Sequence, residues 1–417
     1  MSARGAGPLR VGVVCFSTFG GSGVVATEIA IDLARRGHAV HVFSDELPER
    51  MDPPPPALAS HLVFHRVSPP AYPQLKQSPY TLALTSKIVE VSRRERLEIV
   101  HAHYALPHAV AAHLARQVLA AEGGAIVSPR IVTTLHGTDI TLVGSDPSFL
   151  PLTRFSIAAS DAVTTPSHWL ARATHDVLGV PGAVAIDVIP NFVDVDRFTP
   201  APGGPPERGS AVPVVAHVSN FRPLKRLDDV VEVFARVRAA RPARLRLVGD
   251  GPERPRIEAA LAARGLSADV ELLGERADLP ALLRGTDVFL LPSEIESFGL
   301  AALEALSCGV PVVASAVGGL PEVIADGEVG FLRPVGDVAA MAEAVGRLLD
   351  DAPLRRRFGA AGRRLAESRY ALAPAVDRYV DLYRRVLGPH PDPLPQAGEG
   401  EEGTRPSSSS STRRASS

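Results

Sequence analysis

Short apolar, β-branched runs alternate with amphipathic stretches almost from end to end of the chain. Leu9–Phe16, Ala39–Ser44, Leu97–His103, Arg130–Leu135 and Asp161–Thr165 read as buried strands. Between them, Gly23–Arg36, His108–Ala121, Pro151–Ala159 and His168–Leu178 carry helical periodicity, and Gly37 suits a helix C-terminus. The rhythm breaks at Pro200–Pro213, a Pro- and Gly-rich stretch, and then restarts. Strands are predicted near Val214–Ser219, Leu245–Gly249, Val270–Leu273, Val288–Leu291 and Pro311–Ser315. Helices are predicted near Leu227–Arg238, Arg254–Ala263, Phe298–Ser307, Val338–Leu349, Leu354–Ala366 and Pro374–Leu387. Two successive βαβ series predict an α/β protein with two Rossmann-like domains, each a parallel sheet covered on both faces. The units are placed at residues 1–195 and 214–370, joined by a linker over 196–213. A closing helix follows over 371–387, then a tail over 388–417 whose composition predicts disorder.

Composition agrees with this division. A chain of 417 residues exceeds what one core normally organises, about 250–300 residues. Aromatics are only 5%, so the cores must be aliphatic. With 44 Lys plus Arg against 46 Asp plus Glu, the chain is not built to coat nucleic acid. No apolar run reaches the ~18 residues of a membrane span, and the N-terminus lacks a signal-peptide h-region. Cys15 and Cys308 sit in apolar stretches and read as buried reduced thiols, which fits a cytoplasmic protein.

The candidate chemistry gathers at predicted strand ends, where open α/β sheets bind ligands. Gly20-Gly21-Ser22-Gly23 lies between the first strand and helix, where glycines and free helix N–H groups can meet a phosphate. Gly21-x-Gly23-x-x-Ala26, with Asp45 ending the next strand, also matches a dinucleotide fingerprint. A nicotinamide-dependent oxidoreductase therefore stays open, although Ser17, Thr18 and Phe19 make the loop longer than that fingerprint allows. In the second half, Glu294-Ile295-Glu296-Ser297-Phe298-Gly299-Leu300 leads into an apolar helix containing Glu304. Ser297 is the expected N-cap, which sets Glu296 at the helix mouth and Glu304 two turns in. A carboxylate on so apolar a helix is costly unless it has partners. Neighbouring sugar hydroxyls would supply them, and so would an ion pair with a buried Arg. Arg222, Lys225 and Arg226 follow the first strand of the second unit and could neutralise a diphosphate. His136-Gly137-Thr138-Asp139 and His101-Ala102-His103-Tyr104 end two strands of the first unit. The paired His101 and His103 have metal-like spacing but no third ligand.

These residues resemble the retaining GT-B-fold glycosyltransferases, over about Leu9 to Leu387. The Glu296-x7-Glu304 pair and the glycines are widely shared in that family. The strings GGSGVVATE, HAHYALPHA and LHGTDITLVGSDPS are narrower and are similar to the branch that glycosylates L-malate at the first step of bacillithiol synthesis. The resemblance implies a central cleft between the two domains and a last helix crossing back to the first. It implies a UDP-N-acetylglucosamine donor and an L-malate acceptor, with no metal cofactor. In the donor site, Glu304 would hold the ribose, Glu296 the sugar, and Phe298, Gly299 and Leu300 would supply amides. Arg222, Lys225 and the Gly20–Gly21 backbone would meet the diphosphate, and Arg276 the uracil. His136 would sit beside the sugar; Ser22, Tyr104, Thr138 and Arg154 would form the malate pocket. Asn220 stands where many relatives place the first cation of this segment, and Arg222 is taken to substitute. Other acceptors, such as an inositol phosphate or a glycan, and a nucleotide-sugar epimerase, remain alternatives.

Overall fold

The computed structural model describes residues 7–18, 21–51, 56–69, 79–122, 128–141, 144–202 and 212–388. Its first sheet has strands β1 (Arg10–Val14), β2 (Ala39–Ser44), β3 (Leu62–Arg66), β4 (Ile99–His103), β5 (Arg130–Thr134), β6 (Ala162–Thr165) and β7 (Ile186–Val188). They lie side by side, all parallel, in the order β3-β2-β1-β4-β5-β6-β7. Its helices are α1 (Ser22–Arg35), α2 (Tyr80–Glu95), α3 (Val110–Glu122), α4 (Thr138–Thr141), α5 (Leu150–Ala158) and α6 (His168–Leu178).

The second sheet has β8 (Val214–Val218), β9 (Arg244–Val248), β10 (Val270–Leu272), β11 (Val288–Leu291), β12 (Val312–Ser315) and β13 (Gly330–Arg333). Its order is β10-β9-β8-β11-β12-β13, again all parallel. Around it lie α7 (Leu227–Ala240), α8 (Arg254–Ala263), α9 (Leu279–Arg284), α10 (Leu300–Ser307), α11 (Leu320–Val323), α12 (Val338–Asp350) and α13 (Ala352–Arg369). Both sheets reverse winding direction at their centre, between β1 and β4 and between β8 and β11. Parallel order forces each crossover helix onto a face, so both faces are covered and central strands such as β1, β11 and β12 are buried and largely apolar.

The last helix, α14 (Leu372–Leu387), belongs to the first core, not the second. Leu372, Val376, Tyr379, Val380 and Tyr383 pack with Val11, Val13, Ile29 and Leu33. The chain thus passes between the units twice, and the two passages are tied together. Val193 N–H donates to the Tyr370 carbonyl at 2.8 Å, and Leu372 N–H donates to the Val193 carbonyl at 3.2 Å. The predicted linker falls partly at 203–211, and the tail at 389–417; both lie outside the described residues.

One predicted boundary is corrected. α10 starts at Leu300, and Gly299 precedes it at φ 91°, ψ 51°. Ser297 is therefore not the N-cap, and Glu304 lies little more than one turn into the helix. Gly299 also packs closely on Leu320: a Cβ there would stand 2.4 Å from its Cδ2. Only glycine accepts both the positive φ and that contact. The left-handed Gly299, not a Ser297 side-chain cap, precedes the first helical residue. Cys15 and Cys308 are both buried free thiols, and burial pushes each up to about 12. No helix among the described residues is long and apolar enough to cross a membrane.

Candidate active site

The carboxyl ends of the central strands of both sheets carry the site. In the first unit β1, β4 and β5 are neighbours, so Ser22, Tyr104 and the His136–Thr138 turn emerge side by side. Ser22 Oγ donates to Tyr104 Oη at 2.9 Å. Burial raises the Tyr104 hydroxyl above its usual range, while hydrogen bonds with Ser22 and Thr138 and the nearby Arg222 guanidinium pull it the other way. Arg222, from the second unit, thus lies close to the first unit's cluster. Tyr104 adopts φ 93°, ψ 139°, a conformation that an aromatic residue rarely occupies and that costs about 1–3 kcal/mol. Its own N–H is bonded to the Thr134 carbonyl at 2.9 Å, which helps hold the strain.

His136 faces Tyr104 with ring centroids 5.1 Å apart. Burial lowers its pKa to about 3, so the ring is neutral near pH 7. Beneath it lies Asp139, which is only 2% exposed. Oδ1 accepts the N–H groups of His136 at 3.1 Å and Gly137 at 2.9 Å, and Oδ2 accepts that of Ala105 at 3.4 Å. One carboxylate thereby ties the loop after β5 to the loop after β4. Burial pushes Asp139 up from an ordinary 3.8 to about 6. The folded state therefore holds this proton more tightly than the unfolded chain does. Stability from this group falls as pH rises from about 4 to about 6. Asp139→Asn keeps an acceptor for the two short bonds and cannot titrate. Its melting temperature should gain on wild type between about pH 4 and pH 6. Asp139→Ala should lose about 1–3 kcal/mol in urea unfolding at every pH, from orphaned N–H groups. A melting difference between wild type and Asp139→Asn that ignores pH would contradict this account.

In the second unit β8 and β11 are neighbours, so the loops after them meet. Lys225 Nζ donates to Glu296 Oε1 at 2.5 Å, and Ser293 Oγ donates to the same oxygen at 3.0 Å. Glu294 N–H donates to the Leu224 carbonyl at 2.8 Å, joining the two loops by backbone. A Gly318-Gly319 turn after β12 supports the Glu296 loop from behind. Gly319 N–H donates to the Glu296 carbonyl at 2.8 Å. Phe298 is buried against Tyr370, rings edge to face at 5.7 Å.

The units touch beside these groups. Ser167 Oγ donates to the Ser297 carbonyl at 2.7 Å. Gly137 packs so closely that a Cβ there would lie 2.9 Å from Ser297 Cβ. The His168 and Trp169 amides at the start of α6 donate to the Glu322 carboxylate at 2.9 and 2.7 Å.

Several sequence-predicted residues stand apart. Glu304 faces α1 rather than the Lys225–Glu296 group, and lines a cavity of about 10 Å³ with Glu28 and Arg50. Burial pushes it up to about 7, with Arg50 opposing. Arg50 pairs with Glu28 at 3.3 Å. Among the described residues no ion pair or hydrogen bond reaches the Glu304 carboxylate. Arg276 is held by both oxygens of Asp278 at 2.8 Å each, on an exposed loop. Arg154 is not brought to the Ser22–Tyr104–Thr138 cluster; its Nε donates to the Leu178 carbonyl at the end of α6. Gly20 lies outside the described residues, while Gly21 (φ 58°) opens α1 with no side-chain cap. His101 and His103 share a strand face as their spacing predicts, but both are engaged: His101 with Tyr383 and Thr134, His103 with His136. No group of three metal-ligating side chains occurs among the described residues.

Sequence reading missed Asp139 as an organiser and the Gly318-Gly319 support. An Asp three residues after a His at a strand end is a turn-forming pattern and was the available signal for the first. A Gly-Gly pair just after a buried strand was the signal for the second.

The comparisons with known proteins follow the same lines. A family model described as Glycosyl transferases group 1 matches residues 206–365, and one described as Glycosyltransferase Family 4 matches residues 19–197. An N-acetyl-alpha-D-glucosaminyl L-malate synthase of Bacillus anthracis is 40% identical over 91% of this chain and 97% of its own. A D-inositol 3-phosphate glycosyltransferase of Stackebrandtia nassauensis is 32% identical over 94% and 96%. Among solved structures, a glycosyltransferase from Rickettsia africae superposes with a TM-score of 0.74 at 19% identity, covering 92% of this chain and 99% of that one. An Anabaena protein solved with UDP and glucose gives 0.71 at 19% identity, over 90% and 99%. A fold shared across such low identity, and a sequence likeness that runs nearly the full length of both chains, lead to one conclusion: the chain belongs to the GT-B-fold glycosyltransferases and is a hexosyltransferase.

Proposed function

We propose that this enzyme transfers N-acetylglucosamine from UDP-N-acetylglucosamine to the hydroxyl of L-malate, in the cytoplasm, with retention at the anomeric carbon. The observation that carries the reading is the convergence of Ser22, Tyr104 and Thr138 beside His136, next to the contact of Gly137 with Ser297 and close to Arg222. The 40% identity to a malate synthase supports the same acceptor.

In this mechanism the bond from the sugar C1 to the β-phosphate oxygen breaks. The malate hydroxyl oxygen forms its bond to C1 on the same face. Its proton passes to the departing phosphate oxygen. No covalent intermediate and no metal ion is needed. Lys225 and Arg222, with the Gly20–Gly21 backbone, meet the charge that develops on the diphosphate. Glu296, held by Lys225 and Ser293, accepts a sugar hydroxyl, and the Phe298, Gly299 and Leu300 amides lie near the sugar. Glu304 takes the ribose hydroxyls, which are the donors its carboxylate lacks, and this requires the Glu304 cavity to open. Arg276 lies near the uracil, and Arg154 must leave the Leu178 carbonyl to reach a malate carboxylate. Tight contact between the units excludes water from the donor.

The test is UDP release from UDP-N-acetylglucosamine with and without L-malate, with product mass and anomeric coupling. Malate-dependent release of an α-linked product is expected. Release that ignores malate overturns the acceptor. The likeness to inositol-phosphate transferases makes D-inositol 3-phosphate the next acceptor to assay.

A further inference from the structure

His136 is held by a second imidazole. His103 ends β4, in register with Thr134 of β5. Its Nδ1 lies 2.9 Å from His136 Nε2, with the ring planes only 23° apart and the centroids 5.1 Å apart, so the two rings meet edge to edge. His103 is fully buried, and its other nitrogen, Nε2, is buried with no hydrogen-bond partner. The His101 ring lies 4.3 Å away, and both His101 nitrogens are already bonded. His108 Nδ1 is bonded to the His103 carbonyl.

Burial lowers both His103 and His136 far below the ordinary imidazole value, so both are neutral near pH 7. Between two neutral imidazoles only one hydrogen fits, and two arrangements exist. If His136 Nε2 carries it, His103 must bury an N–H with nothing to receive it, and His136 offers a bare lone pair at Nδ1. If His103 Nδ1 carries it, the orphan is a bare His103 nitrogen, and His136 carries its hydrogen on Nδ1. A buried orphan N–H is the rarer and costlier of the two defects. Among the described residues His136 Nδ1 makes no hydrogen bond, so that hydrogen is available to a ligand.

We propose that His103 is a positioning residue: it donates Nδ1–H to His136 Nε2 and so makes His136 an N–H donor, through Nδ1, to an oxygen of the bound sugar. The proposal rests on the reading above, in which His136 lies beside the transferred sugar. It adds the orientation, the tautomer and the residue that imposes both.

The direct test is a long-range ¹H–¹⁵N correlation on the full chain labelled at histidine nitrogens. His136 signals are assigned by their loss in His136→Asn. Protonated Nδ1 on both His136 and His103 is expected. A His136 ring protonated at Nε2 overturns the proposal. This readout needs no substrate, so it stands apart from the acceptor: absence of malate-dependent turnover sinks the functional reading and leaves the tautomer result intact. Kinetics supply the second arm. His103→Leu should lower kcat by about 10- to 100-fold, with donor KM within about twofold. His103→Asn, whose amide nitrogen replaces Nδ1, should recover most of that loss. Equal losses in both variants, tracking their melting temperatures, would reduce His103 to a packing role.

Discussion

Lys225→Ala is expected to lower kcat by about 10²- to 10³-fold, the usual cost of removing one preorganised group from a developing anion. Three features set the size. The ammonium is already fixed, at 2.5 Å from Glu296, so no reorganisation accompanies the reaction. It is only 17% exposed, and water screens it weakly. Its removal also leaves Glu296 as an unbalanced carboxylate beside the incoming diphosphate. Donor KM should rise as well. Lys225→Arg restores charge but not a compact point donor, and recovers only part of the rate. Steady-state kinetics of the three proteins decide the matter. If the pair were a loop salt bridge worth about 0–1 kcal/mol, kcat would stay within about threefold and only the melting temperature would move.

Gly318→Ala should be among the most damaging single methyls at the site. Gly318 has φ 62°, and a Cβ there would lie 1.9 Å from the Glu296 carbonyl oxygen. Backbone, unlike the end of a flexible side chain, cannot step aside without moving the loop. The left-handed conformation alone costs an alanine about 1–2 kcal/mol. With the clash added, about 3 kcal/mol or more of stability should be lost in urea unfolding. The surviving folded protein should bind donor poorly, because Glu296 is what moves. Gly327→Ala is the control. It has φ 76° with no atom within 4 Å of its Cβ position, so it meets the conformational cost only. Equal effects of the two substitutions would show that the Gly318 contact does not hold the loop.

The interior of the fold was legible because parallel strands buried on both faces leave unbroken apolar runs. Ala39–Ser44 and Val288–Leu291 match to the residue, as do the helices His168–Leu178 and Arg254–Ala263. Elements at the margins escaped. β3, β7 and β13 are edge strands of three to five residues, and polar or charged positions cut their apolar runs to three residues or fewer. Helix α2 is absent from the predicted helices, although Leu84, Ile88 and Val91 mark its buried stripe. For the site, strand-end placement sufficed to bring Ser22, Tyr104, Thr138 and His136 together, and Lys225 to Glu296. What depended on side-chain direction was not legible. Arg154 and Glu304 lie on predicted helices, yet each points where the packing around it dictates. The His103–His136 bond joins adjacent strands, and no spacing along one strand reports which rings meet across a ladder.

The placement of α14 also governs how the chain can be made. Tyr379 and Tyr383 fill the first core, but they are synthesised after the whole of the second unit. At ribosomal speeds of about 5–20 residues per second the first unit waits roughly ten to forty seconds for them, with an apolar trough open along α1. The second unit depends on no such latecomer and can complete itself first. On the ribosome, then, maturation runs against sequence order: the portion of the enzyme that emerges earliest is the last to close.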